Sequence, residues 1–181
     1  MSSRKQILHV IAIGFLAANR VAAEDTPALG QTIPIEELAG LSTTVYPDGE
    51  GLPPGSGTVQ AGKVVYEDQC SVCHGANGEG NMNMYIPILA GTGKPDHGFH
   101  WSTGHSWPYA TSLFEYIRTA MPPFNPKELS TEEVYAVTAY ILHMNGFLPE
   151  DGEVGKSTLP DIRMPSQDYT SSKWEKEESQ Y

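Results

Sequence analysis

The chain predicts a mainly α fold: three or more helices around a core that polypeptide alone does not complete, with irregular extensions at both ends. Three observations predict it. Apolar residues recur at helical spacing in three separated stretches. Between the first and second of these, Ser71 to Trp107 reads as one long loop carrying Gly75, Gly78, Gly80, Gly91, Gly93, Gly98 and Gly104. A loop of that length inside a compact domain needs something besides protein to pack against. Finally, 39% hydrophobic and 18% charged residues are too apolar for wholesale disorder, and no run is long enough for repeated membrane spans.

The elements follow in order. Arg4 and Lys5 precede an apolar stretch from Ile7 to Ala18, and Val21-Ala22-Ala23 supplies small residues, the order of a secretory signal peptide over residues 1–23. The apolar stretch falls short of the ~20 residues of a spanning helix, so no stable membrane span is expected once the signal is cleaved. Residues 24–57 read as an extended segment with turns at Pro47-Asp48-Gly49 and Leu52-Pro53-Pro54-Gly55-Ser56-Gly57. A domain over 58–148 begins with a helix from Thr58 to Gln69, marked by Val59, Gly62 and Tyr66. A second helix, Tyr109–Ala120, places Leu113, Phe114, Ile117 and Ala120 on one side and follows Pro108. A third, Thr131–Asn145, opens on a Ser130/Glu133 capping box, carries Val134, Val137, Ile141 and Met144, and stops at Gly146. Residues 149–181 read as a C-terminal extension and acidic tail, with no β-hairpin series.

Charge removes one class of function. Lys plus Arg number 11 against 22 Asp plus Glu, a net −11, which repels nucleic-acid phosphates. Cleavage after Ala23 removes three basic side chains and no acidic one, taking the mature chain to −14. Export to the periplasm is the expected localisation, and an oxidising compartment gives two cysteines a disulfide, metal or cofactor role.

Those two cysteines sit in Cys70-Ser71-Val72-Cys73-His74, a C-x-x-C-H arrangement that is the attachment signature of c-type haem. Two thiols add across the porphyrin vinyl groups as thioethers, and the adjacent imidazole reaches the iron from one face. A thioredoxin-type disulfide would need a βαβ context, and a zinc site would need further ligands at close spacing. One covalent haem c is therefore expected. Met121, followed by Pro122 and Pro123 and lying just before the last helix, is the expected second iron ligand opposite His74, since a thioether favours ferrous iron. Met82, Met84, Met164, the histidines His97, His100 and His105, or an open position are the alternatives. Trp107 and Arg118 are candidate contacts to the haem propionates, and Ile86, Pro87, Ile88 and Leu89 a wall against the ring.

A helix leading into C-x-x-C-H, a loop, a helix, Met-Pro and a capped last helix resemble a class I cytochrome c. Pro47 through Gly57, Gly78-Glu79-Gly80, Trp107-Pro108-Tyr109-Ala110-Thr111, Tyr116 through Pro122, Glu133-Val134-Tyr135-Ala136, Ala139 through Leu142 and Leu159 through Pro165 further resemble the cytochrome c subunits of bacterial sulfite and sulfane dehydrogenases. The resemblance runs from about Leu29 to Asp168. It implies the class I fold, with Cys70, Cys73, His74 and Met121 at the haem. It also implies a periplasmic role in sulfur oxidation, taking single electrons from a molybdenum-cofactor catalytic subunit and passing them to a downstream cytochrome. Such a chain is an electron-transfer protein with no acid–base catalytic residues of its own. A free-standing electron shuttle, and a haem enzyme or sensor with an open sixth position, are the competing readings.

Overall fold

The computed structural model describes residues 30, 33–34, 44–91 and 102–168. The chain divides into two compact units, 1–42 and 43–181, and every element below belongs to the second. The signal peptide, His97 and His100 lie outside the described residues.

The chain enters through a turn at Tyr46–Glu50, where the Gly49 amide donates to the Tyr46 carbonyl at 3.0 Å and the Asp48 carboxylate accepts from the Glu50 amide at 3.0 Å. A short strand β1 (Ser56–Thr58) leads directly into α1 (Val59–Gln69), with the Thr58 hydroxyl capping the Ala61 amide. The expected first helix is thus present, with Thr58 as its cap. Val59, Gly62 and Tyr66 are its buried face, the three positions that carried the periodicity. A four-residue helix α2 (Ser71–His74) follows, then a 3-10 helix at Met82–Met84 and a second short helix α3 (Thr103–Ser106). The long helices α4 (Ala110–Ala120) and α5 (Thr131–Met144) come next, and strand β2 (Glu153–Gly155) pairs antiparallel with β1, Gly57 opposite Val154. Two 3-10 helices, Leu159–Asp161 and Pro165–Asp168, end the described chain.

α5 is the spine. It carries the capping box: the Ser130 hydroxyl accepts from the Glu133 amide at 3.3 Å, and the Glu133 carboxylate accepts from the Ser130 amide at 2.8 Å. Val134, Tyr135, Val137, Ala139, Ile141 and Leu142 are buried along it. It crosses α1 at a point where both backbones must touch. A Cβ on Gly62 would lie 1.8 Å from the Ala136 carbonyl oxygen, and one on Gly57 would lie 2.2 Å from the Ala136 nitrogen. Only glycine allows that approach. α4 packs its Leu113, Phe114 and Ile117 face inward, with the Phe114 and Tyr135 rings 4.4 Å apart.

The core also draws on the flanking segments. Val45 and Leu52 from before β1, and Val154, Leu159 and Met164 from after α5, join one buried cluster with α1, α4 and α5. Met164 was expected in an irregular tail and is instead fully buried. The reason is local geometry: Tyr109 and Arg163 form an isolated antiparallel bridge, which lays the chain after Ile162 against the start of α4. Such a bridge and two 3-10 turns have no repeating pattern to read. The same explains β1 and β2, three residues each, where no strand pairing was expected. Among the described residues no helix is long and apolar enough to cross a membrane.

Candidate functional site

Cys70 closes α1, its amide still bonded to the Tyr66 carbonyl at 2.9 Å, and it starts α2 by accepting from the Cys73 and His74 amides at 3.2 and 2.9 Å. The motif is therefore one tight turn appended to a long, well-packed helix. Both cysteines are free and half-buried, with no disulfide between them. Burial, then the neighbouring Cys73, pushes the Cys70 thiol up to about 11, so the free thiol is neutral at physiological pH.

The histidine is held at both ends. Its carbonyl accepts from the Gly80 amide at 2.8 Å, and its Nδ1 lies 3.0 Å from the Pro87 carbonyl oxygen. A carbonyl only accepts, so Nδ1 carries the proton and Nε2 keeps its lone pair for a metal. One residue on, the Gly75 carbonyl accepts from the Tyr66 hydroxyl at 2.7 Å. Gly75 has φ +79°, the left-handed region that favours glycine, so any other residue in the turn after the histidine would be strained. Glu79 is held below the ordinary carboxylate range by backbone amides, its own and that of Asn77.

Met121 ends α4, its amide bonded to the Ile117 carbonyl at 3.1 Å, and its half-buried side chain packs against the core cluster. Its rivals are placed differently. Met84 is exposed, Met164 is sealed in the core, and Met144 is half-buried against the core from α5. His105 is buried on α3. Trp107 is half-buried, edge-on to Tyr116 with ring centroids 5.4 Å apart. Arg118 is engaged by Glu115, whose Oε2 accepts from its Nε at 2.8 Å and lies 2.7 Å from a terminal nitrogen. Ile86, Ile88 and Leu89 are half-buried and Pro87 is exposed. What sequence reading missed was the strap from Pro87 to Gly91, in which Asn145 donates to the Leu89 carbonyl at 2.8 Å. An asparagine just past an amphipathic helix was its only trace in the sequence, and its burial was not visible there.

The donor set fits haem: two unpaired thiols one turn apart, an imidazole whose outer nitrogen is already spoken for, and a thioether at the end of a neighbouring helix. No group of three His, Cys, Asp and Glu side chains suited to a bare metal ion occurs among the described residues.

Fold and motif together define a c-type cytochrome domain. The chain belongs to the class I cytochrome c family, whose members bind haem c covalently. Residues 57–141 match the family model described as cytochrome c oxidase, cbb3-type, subunit III. The solved sulfane dehydrogenase SoxCD from Paracoccus pantotrophus is 30% identical to this chain and superposes with a TM-score of 0.72, covering 86% of this chain and 76% of the matched one. Thiosulfate dehydrogenase of Psychrobacter arcticus is 32% identical over 108 residues, 55% of this chain and 31% of that protein. The same-named protein of Stutzerimonas stutzeri is 29% identical over 109 residues, 59% of this chain and 32% of that protein. The chain thus spans about a third of the length of these curated relatives. The fold and haem class expected from the sequence hold, as does the relation to sulfur-oxidising proteins.

Proposed function

We propose that this chain is an exported, mono-haem electron-transfer subunit that takes electrons one at a time from a molybdenum-cofactor sulfur dehydrogenase and hands them to a downstream cytochrome. When bound, haem c supplies the one-electron couple. Cys70 and Cys73 would hold it through thioethers, and His74 Nε2 and Met121 Sδ would supply its iron ligands. Trp107 and Arg118 are assigned to the propionate side. The signal peptide over 1–23, the extended segment 24–57, the cytochrome domain 58–148 and the extension 149–181 belong to the same proposal.

The observation that carries the reading is the His74 Nδ1 contact to the Pro87 carbonyl beside two free thiols. It fixes the tautomer a haem ligand needs and raises the basicity of the ligating nitrogen. Docking is supported by exposed apolar side chains on both ligand-bearing segments: Val72, inside the motif, is 86% exposed, and Phe124, three residues after Met121, is 94% exposed. The dehydrogenase activity named for the longer relatives stays with those proteins.

One observation favours the free-shuttle alternative. Val45 and Leu159, apolar residues of the extensions, are spent on the chain's own core, and Phe147, Leu148 and Ile162 pack against it. That leaves less apolar surface for a permanent interface. Co-expression with a molybdenum-containing sulfur dehydrogenase subunit, followed by gel filtration at high salt, separates the two. The subunit reading predicts co-elution and haem reduction when the partner turns over sulfite or a related sulfur compound. Elution alone, without reduction, rejects it.

A further inference from the structure

We infer that Asn145 is a positioning residue for the iron ligand His74, acting through a backbone strap formed by Pro87–Gly91. The inference rests on the reading of His74 as an iron ligand and adds what sets that ligand's strength.

Pro87, whose carbonyl accepts from His74 Nδ1, is itself exposed, its carbonyl lying against Gly80. The residues that follow it are tied at several backbone atoms. The Leu89 and Ala90 amides both donate to the Gly78 carbonyl, at 2.8 and 3.1 Å, and the Ile88 carbonyl accepts from the Thr103 amide at 3.1 Å. The Gly91 carbonyl accepts from the Ser102 hydroxyl. The Leu89 carbonyl accepts from Asn145 Nδ2 at 2.8 Å, across a sequence separation of 56. Among the described residues, Asn145 is the long-range side chain that ties the middle of the strap to the helical scaffold. It is only 3% exposed, and its Nδ2 also donates to the Ile141 carbonyl at 2.7 Å, which locks the amide onto the end of α5. Its Oδ1 is buried with no hydrogen-bond partner among the described residues. The anchoring is therefore carried by the donor side of the amide. Gly104 makes room for it: a Cβ there would lie 2.4 Å from Asn145 Oδ1 and 2.8 Å from the Gly91 carbonyl oxygen.

The consequence for the ligand follows from the Nδ1–H···O=C bond. A firm bond to Pro87 makes the imidazole a stronger donor to iron, which stabilises the oxidised form. A strap released from α5 lets the Pro87 carbonyl drift, weakens that bond and raises the midpoint potential. It also exposes the Nδ1 proton to exchange with solvent.

The test uses the full holoprotein with three variants: Asn145→Ala, Ser102→Ala, which frees the far end of the same strap, and His74→Ala. The strap account predicts low-spin haem in the first two, with a raised midpoint potential and faster solvent exchange of the His74 Nδ1 proton by NMR. The shift should be larger for Asn145→Ala; if that variant does not fold, Ser102→Ala decides. A lowered Tm with potential and proton exchange at wild-type values makes Asn145 merely structural and overturns the inference. A low-spin spectrum that survives in His74→Ala overturns instead the ligand assignment beneath it.

Discussion

The crossing of α1 on α5 and the segment from Cys70 to Gly91, which follows α1 directly, are held by different forces. At the crossing, Val59, Tyr66, Val134, Tyr135 and Val137 are buried, and two glycines bring the backbones into contact. Each such large side chain contributes about 1.5–3 kcal/mol by leaving water. In the second region α2 buries no residue, and order comes from backbone ties: Gly80 to His74, Leu89 and Ala90 to Gly78, and the Asn81–Ile86 bridge. A hydrogen bond nets only about 1 kcal/mol, so this segment has little stability of its own. A rigid scaffold therefore presents a site whose remaining order the bound group must supply, as a long glycine-rich loop suggests.

The sharpest way to break that comparison is at the crossing. Gly62→Ala puts a methyl into the Ala136 carbonyl and should cost about 3 kcal/mol or more, read as a fall in the denaturation midpoint. Removing the group tests the other half. A Cys70→Ala/Cys73→Ala chain, unable to attach haem, should lose amide protection at Leu89 and Ala90 well before Val134 to Leu142 by hydrogen exchange. Equal loss in both regions would erase the distinction. Tyr66→Phe keeps the buried ring and removes only the tie to the Gly75 carbonyl, an expected cost of about 1–2 kcal/mol in thermal or denaturant unfolding. The smallest effect belongs to the capping box, where Ser130→Ala should cost about 1 kcal/mol. Glu133 is held below its ordinary value of 4.5 by the Ser130 amide and hydroxyl. Its contribution is therefore complete above that value and lost as pH falls through the lowered one. Acid titration of stability should show a shallower loss below pH 4.5 in Ser130→Ala than in wild type.

The scaffold was legible in the sequence because its helices are long enough to show a period. The buried faces Val59/Gly62/Tyr66, Leu113/Phe114/Ile117 and Val134/Val137/Ile141 are those the spacing marked, and the helix ends agree within a residue. The attachment motif was legible because its chemistry fixes both residue type and spacing. What escaped was made of pieces three or four residues long: α3, the β1–β2 pair, the 3-10 turns and the Met164 anchor. Pieces that short complete no period, and their stability comes from partners far along the chain. The strap at Pro87–Gly91 escaped for the same reason, since carbonyl groups leave no mark in a sequence. Arg118, proposed for the propionate side, also pairs with Glu115 three residues earlier on α4, an i,i+3 pairing that such spacing favours.

The central proposal is that His74 and the thioether of Met121 would both ligate the iron of a haem attached at Cys70 and Cys73. The most direct measurement is the weak far-red absorption of an iron–thioether bond in the oxidised protein, compared between wild type and Met121→Ala. The account predicts the band in wild type and its loss in the variant, with haem still covalently attached. A band that persists in Met121→Ala, or that wild type never shows, would contradict it.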